Sequence, residues 1–288
     1  MARAFVFPGQ GSQAVGMGQA MAAAFPAARQ ALEEVDDALS QNLSRLMAQG
    51  PADELTLTEN AQPALMAVSL AVLRVLEAEA GVDMETSCNF VAGHSLGEYS
   101  ALAAARGLDI ADAARLLKRR GQSMQEAVPI GVGAMAALLG AELDQARELA
   151  AAAAQGDVCE TANDNADGQI VISGHKTAID RAIELAPERG IRRAIELPVS
   201  APFHCSLMQP AAEIMEQALG EIDVRRPVVP VIANVSAAEA TRPDDIRDLL
   251  VKQVTTMVRW RECVLAMRDA GVDTLVELGA GKVLTGLA

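Results

Sequence analysis

The stretch Val91-Ala92-Gly93-His94-Ser95-Leu96-Gly97-Glu98 constrains the fold more than any other, because an apolar run breaks at glycines around one serine and passes into Ala-rich sequence. Residues 89–92 read as a buried strand and 96–105 as a helix of strong helix formers, which puts Ser95 on a strand-to-helix turn of Gly-x-Ser-x-Gly type. Such a turn is tight and strained, so Gly93 and Gly97 stand where a side chain has no room. A serine there exposes its Oγ. The N-terminus of the following helix offers unpaired N–H groups and a positive dipole end where an oxyanion would form. Ser95 and Glu98 also fit Ser-x-x-Glu, a capping box, but a box explains neither glycine.

Strands and helices alternate around this turn. Residues 3–7 form a first short strand, and 61–79 have helical spacing, with Pro63 in the first turn and Gly81 just past the end. Further on, 134–139 read as a strand, 142–154 as a helix, 158–162 and 169–173 as strands, 176–189 as a helix and 191–197 as a strand. This β-α-β-β-α-β order is that of a small ferredoxin-like unit. Alternation then resumes with a helix over 206–220, a strand over 228–233, a helix over 244–254 and a strand over 272–278. The predicted fold is α/β: a larger α/β-hydrolase-like domain with a parallel sheet over 1–127 and 198–288, carrying an inserted ferredoxin-like subdomain over 128–197.

With 288 residues, 51% of them hydrophobic, the chain can bury a sizeable core. No apolar run approaches the ~20 residues of a membrane span, and Phe5-Val6-Phe7 ends at Pro8-Gly9, too short for a signal peptide, so a cytoplasmic protein is expected. The four cysteines lack Cys-x-x-Cys spacing and there are only three histidines, which predicts reduced thiols and no metal site. A formal charge of −14 argues against nucleic acid or an anionic membrane as the main partner.

A nucleophilic serine needs a base. His94 adjoins Ser95 and points elsewhere, and His175 reads as a surface turn residue at a helix start. His204 sits in the apolar, proline-stiffened loop Leu197-Pro198-Val199-Ser200-Ala201-Pro202-Phe203-His204-Cys205, where a fixed imidazole or a merely packed one are both compatible with the sequence. In the helix opened by Asp109, Ala113, Leu116, Leu117 and Met124 form one inward stripe, and Arg120 lies on it, while Arg115, Lys118 and Arg119 point away. An inward arginine needs an anion, which a structural carboxylate or a bound ligand could supply. The loop Pro8-Gly9-Gln10-Gly11-Ser12-Gln13 fails both phosphate-binding templates, since Ala14 replaces the third glycine of one and Met17 the lysine of the other. It remains a loop whose backbone can approach a ligand.

Taken together, Phe7-Pro8-Gly9-Gln10-Gly11-Ser12-Gln13, Gly93-His94-Ser95-Leu96-Gly97-Glu98-Tyr99, Arg120-Gly121 followed by Met124-Gln125, and Pro202-Phe203-His204 resemble the malonyl-CoA:acyl-carrier-protein transacylases of fatty acid synthesis. Ala162-Asn163 with Gly168-Gln169, Gln253 followed by Val258 and Trp260, and Glu277-Leu278-Gly279 fit the same pattern, so the likeness covers nearly the whole chain. Gly-x-Ser-x-Gly alone is shared with esterases; seven motifs in order are far more specific.

The resemblance implies Ser95 as nucleophile and His204 as its base, with the imidazole oriented by the backbone carbonyl of Gln253. It implies an oxyanion hole from the N–H groups of Gln10 and Leu96, and Arg120 as a bidentate clamp on the free carboxylate of a malonyl group. Asn163 would be a supporting residue, with Asn165 as the other candidate, and Phe203 would crowd an α-methyl branch of the substrate. The implied partners are malonyl-CoA and acyl carrier protein; no cofactor is held, and phosphopantetheine is carried by the partner. Thr255-Thr256-Met257 departs from the family's usual Asn-Pro segment, Asp167 replaces a common proline, and the chain ends earlier than is usual. A serine esterase or thioesterase, a trans-acting acyltransferase of polyketide synthesis and a non-catalytic carrier-binding subunit are the rival readings. An esterase has no use for an inward arginine.

Overall fold

The computed structural model describes residues 2–288. Its centre is a sheet of order β8-β7-β2-β1-β9, with β1 (Arg3–Phe7), β2 (Phe90–Gly93), β7 (Val231–Ile232), β8 (Glu239–Ala240) and β9 (Thr274–Glu277). β1 runs parallel to both β2 and β9, and β2 to β7, while β8 closes the edge antiparallel. β1 and β2 are buried along nearly their whole length, and their uninterrupted apolar sequence is what a parallel strand covered on both faces requires.

The second sheet is β4 (Cys159–Ala166), β5 (Gln169–His175), β3 (Gly133–Leu139) and β6 (Arg193–Glu196) in that order, antiparallel throughout. Helices Leu143–Ala154 and Lys176–Leu185 pack on it around their own small core. With β3 counted as the first strand the order is 2-3-1-4, the ferredoxin-like arrangement.

Several boundaries differ from the sequence reading, each for a visible reason. The helix expected over 176–189 stops at Leu185, because Pro187 cannot continue it, and Pro187–Arg189 forms a 3-10 turn instead. The helix expected from 61 begins at Thr58, which places Pro63 inside it rather than in its first turn. This helix, Thr58–Ala80, is long and apolar enough by length and composition to cross a membrane, contrary to the expectation that no segment would be, but its first half lies inside the protein core. His175 is no surface turn: it ends β5, and its Nδ1 accepts the Val158 N–H at 2.9 Å. The helices between Gln19 and Thr56 and the helix Trp260–Asp269 were not anticipated.

Candidate active site

The elbow is built by close approach. A Cβ on Gly93 would lie 1.9 Å from the Gly97 carbonyl, and one on Gly97 would lie 2.2 Å from the Phe7 carbonyl oxygen. Only glycine lets the helix Gly97–Ala104 leave β2 so sharply against the end of β1. The constraint forces Ser95 into the left-handed region at φ 54°, a cost of order 1–3 kcal/mol that the surrounding contacts must offset. His204 is held in the same region, at φ 58°.

Ser95 makes no capping box; its hydroxyl faces the cleft. Ser95 Oγ lies 2.8 Å from His204 Nε2 and accepts a hydrogen bond from Arg120 Nη2 at 3.1 Å. His204 Nδ1 lies 2.8 Å from the Gln253 carbonyl oxygen. A carbonyl can only accept, so Nδ1 carries the proton and Nε2 presents its lone pair to the serine hydroxyl. Burial, followed by the positive charge of Arg120, pushes the His204 pKa down to about 3, so the imidazole is neutral at physiological pH. Among the described residues no aspartate orients it.

Arg120 is 1% exposed on the inward face of helix Ile110–Ala127. Its three hydrogen-bond acceptors are Gln62 Oε1 at 2.9 Å, Ser95 Oγ and Gln253 Oε1 at 3.0 Å, and none is a carboxylate. Its Cζ stands 5.7 Å from the Tyr99 ring centre, and its Nε donates to no acceptor among the described residues. The guanidinium is thus desolvated beside the serine with only neutral partners.

Ser95, His204 and Arg120 line one cavity of about 510 Å³. Gln10 and Leu96 line it as well, brought to the serine because β1 and β2 are adjacent and parallel. Among the described residues neither the Gln10 nor the Leu96 N–H is donated to another backbone carbonyl. Phe203 forms an apolar wall with Met124, Met135, Val171 and Leu197. Gln253 does not reach the cavity but lies fully buried behind it. Asn163 and Asn165 both line the space, yet only Asn165 touches the elbow, its Oδ1 2.8 Å from His94 Nε2. His94, half-buried, packs against Trp260 with ring centres 5.8 Å apart.

Sequence reasoning missed four residues around the site: Gln62, Asn234, Tyr99 and the side chain of Gln253. Asn234 is fully buried, receives the Ser95 N–H at 2.8 Å and donates to the Gly93 carbonyl at 2.7 Å, clasping the elbow from outside. Only the position of Gln62 on the first turns of an apolar helix could have pointed to it. The departure at Thr255-Thr256-Met257 is accommodated: Thr255 and Thr256 N–H both return to the Lys252 carbonyl, and Val258 bridges Asn163.

A cleft that sets a serine, a neutral imidazole and a desolvated cation around one cavity is suited to acyl transfer through the serine. A family model described as the acyl transferase domain matches residues 4–286, and the chain belongs to that family. It is 47% identical over 285 residues, 99% of its length and 88% of the relative's, to the malonyl CoA-acyl carrier protein transacylase of Bacillus subtilis. A solved acyl-carrier-protein-S-malonyltransferase of Bartonella henselae superposes with a TM-score of 0.97 at 55% identity, covering 100% of this chain and 91% of that one. A malonyl-transacylase solved in complex with a type II PKS acyl-carrier protein superposes at 0.96 with 42% identity, covering 100% and 92%.

Proposed function

We propose that the protein transfers a malonyl group from malonyl-CoA to the phosphopantetheine thiol of acyl carrier protein, through a malonyl ester on Ser95 in a ping-pong cycle. The observation that carries this reading is Arg120, a buried guanidinium 3.1 Å from Ser95 Oγ whose acceptors are all neutral. Leaving such a charge without an anion is costly, and a malonyl carboxylate, two bonds from the thioester carbonyl, is the anion that would reach it as Ser95 attacks. The names of the relatives supply the same acyl group and the same carrier.

In the first half, His204 Nε2 takes the Ser95 proton as Oγ adds to the thioester carbonyl, and the Gln10 and Leu96 N–H groups receive the developing oxyanion. The C–S bond breaks, the coenzyme A sulfur takes the proton from His204, and Ser95 is left as the ester. In the second half the carrier's thiol gives its proton to His204, attacks the ester, and Ser95 regains its hydrogen. Thioester is exchanged for thioester, so no external reductant or metal enters the balance.

Residues 1–127 and 198–288 then form the catalytic unit and 128–197 an inserted wall of the cleft, and a cytoplasmic location goes with the reading. The test is kcat/KM for malonyl-CoA and acetyl-CoA with wild type and Arg120→Ala. Malonyl-CoA should lose ~10²- to 10³-fold and acetyl-CoA little. Equal losses would make Arg120 a structural residue and remove the basis for a malonyl substrate.

A further inference from the structure

Glu98 lies in the first turn of the elbow helix, is 2% exposed, and has no part in the acyl-transfer steps. Its Oε2 accepts two hydrogen bonds, from the Asn234 backbone N–H at 2.9 Å and from Gln253 Nε2 at 2.8 Å. Gln253 is the hub on the other side. Its Oε1 accepts Arg120 Nη2 at 3.0 Å, its Nε2 also reaches the Ser95 carbonyl at 3.1 Å, and its backbone carbonyl faces His204 Nδ1 at 2.8 Å.

The two ends of a side-chain amide have nearly the same shape and opposite hydrogen-bonding character, so something must decide which end faces Arg120. A guanidinium only donates. If the amide were reversed, its NH₂ would meet Arg120 donor to donor, and its oxygen would meet an acceptor. Glu98 Oε2, which already accepts from the Asn234 N–H, claims the NH₂ end and leaves Oε1 to Arg120.

We infer that Glu98 is a positioning residue for acyl-group selection: by holding the Gln253 amide it fixes the Arg120 guanidinium where a substrate carboxylate must meet it. This rests on the malonyl reading above. Burial pushes the Glu98 pKa up to about 7, against the lowering influence of the Asn234 N–H, the Gln253 amide and the Arg120 charge, so the carboxyl is partly protonated near neutral pH; both hydrogen bonds arrive at Oε2, an oxygen that accepts in either state. A carboxylate kept only for packing or for the helix N-terminus would affect stability and nothing else.

The ratio of kcat/KM for malonyl-CoA to that for acetyl-CoA separates the two roles, because a loss of folded protein lowers both values equally. Glu98→Ala should lower the ratio about tenfold or more, the weight of one hydrogen bond to a charged group. Glu98→Gln, which keeps an accepting oxygen at the same reach, should restore most of it. Gln253→Leu, which keeps the carbonyl that faces His204, should reproduce the loss, and the double variant Glu98→Ala/Gln253→Leu should add little to it. Should Glu98→Ala fail to fold, Glu98→Gln and Gln253→Leu decide alone. A wild-type ratio in Glu98→Ala or in Gln253→Leu, measured beside an Arg120→Ala control whose ratio collapses, overturns the role of Glu98. An unchanged ratio in the Arg120→Ala control overturns the malonyl reading itself.

Discussion

Arg120 and Arg261 each hold a buried polar partner, and the protein uses them in opposite ways. Arg261, on helix Trp260–Asp269, donates from Nε and Nη2 to the carboxylate of Asp164 at 3.0 to 3.1 Å. Asp164 is fully buried in β4, between the two asparagines that line the cavity, so the pair fastens the antiparallel sheet to the C-terminal helix. There the charge is matched within the protein. At Arg120 the protein supplies two amides, a hydroxyl and an aromatic face, and the nearest acid, Glu98, is kept one amide away. A matched pair serves the fold; under the proposed function, the unmatched cation beside the serine serves a ligand.

The sharpest way to break this contrast is to remove Arg261. Asp164 would then be a buried carboxylate without its partner, a loss of ~3–5 kcal/mol for a fully desolvated pair, and toward the lower figure here. Water already reaches the Arg261 side chain, which is 33% exposed. Denaturant unfolding of Arg261→Ala should show this loss, while the malonyl-to-acetyl ratio of the folded fraction stays that of wild type. A collapsed ratio would mean that the two arginines are not separate in function.

The cleft should also show itself in the pH dependence of stability. His204 has a folded pKa of about 3 against an ordinary 6.5, so its neutral form contributes stability that is present above pH 6.5 and lost as pH falls toward 3. Glu98 is raised from 4.5 to about 7, so the folded state binds more protons than the unfolded chain between those values and loses stability as pH rises through them. The melting temperature of Glu98→Gln should therefore gain on wild type from pH 4.5 to pH 7, and that of His204→Ala should gain as pH drops below 6.5. Parallel melting curves for variant and wild type would contradict the buried titration.

How much of this contrast the sequence carries depends on whether a residue acts through local pattern or through distant contact. Ser95 is legible because the elbow is local: two glycines and a strand-to-helix change within a few residues dictate it. Arg120 is legible as inward from helical periodicity, but the chemistry of its partners is not, since Gln62, Ser95 and Gln253 come from three other segments. Glu98 reads as half of a capping box, and only the fold reveals that its partners lie on a loop and a helix more than a hundred residues away. The helix boundaries that shifted did so at Pro63 and Pro187, where propensity and packing compete. The short β7 was overestimated because an apolar run, 228–233, looks the same whether or not it finds a ladder partner.

The smallest expected effect lies at the surface. Arg189, Arg192 and Arg193 are exposed beside β6 of the inserted sheet, on a chain whose formal charge is −14. Reversing Arg192 and Arg193 to glutamate should raise the apparent KM for acyl carrier protein severalfold at low salt, less at high salt, and leave malonyl-CoA unaffected. An unchanged KM would move carrier docking to another face.

The central claim, that Ser95 carries the acyl group while the cysteines stay silent, is tested most directly by the mass of the enzyme after brief exposure to malonyl-CoA. Burial raises the thiols of Cys88, Cys159 and Cys205 to about 11, which disfavours their reactive thiolates. Digestion should therefore locate one malonyl group on the peptide that contains Ser95, removed by a carrier thiol and absent from Ser95→Ala. A malonyl group that persists in Ser95→Ala, or that maps to a cysteine peptide, would contradict the account.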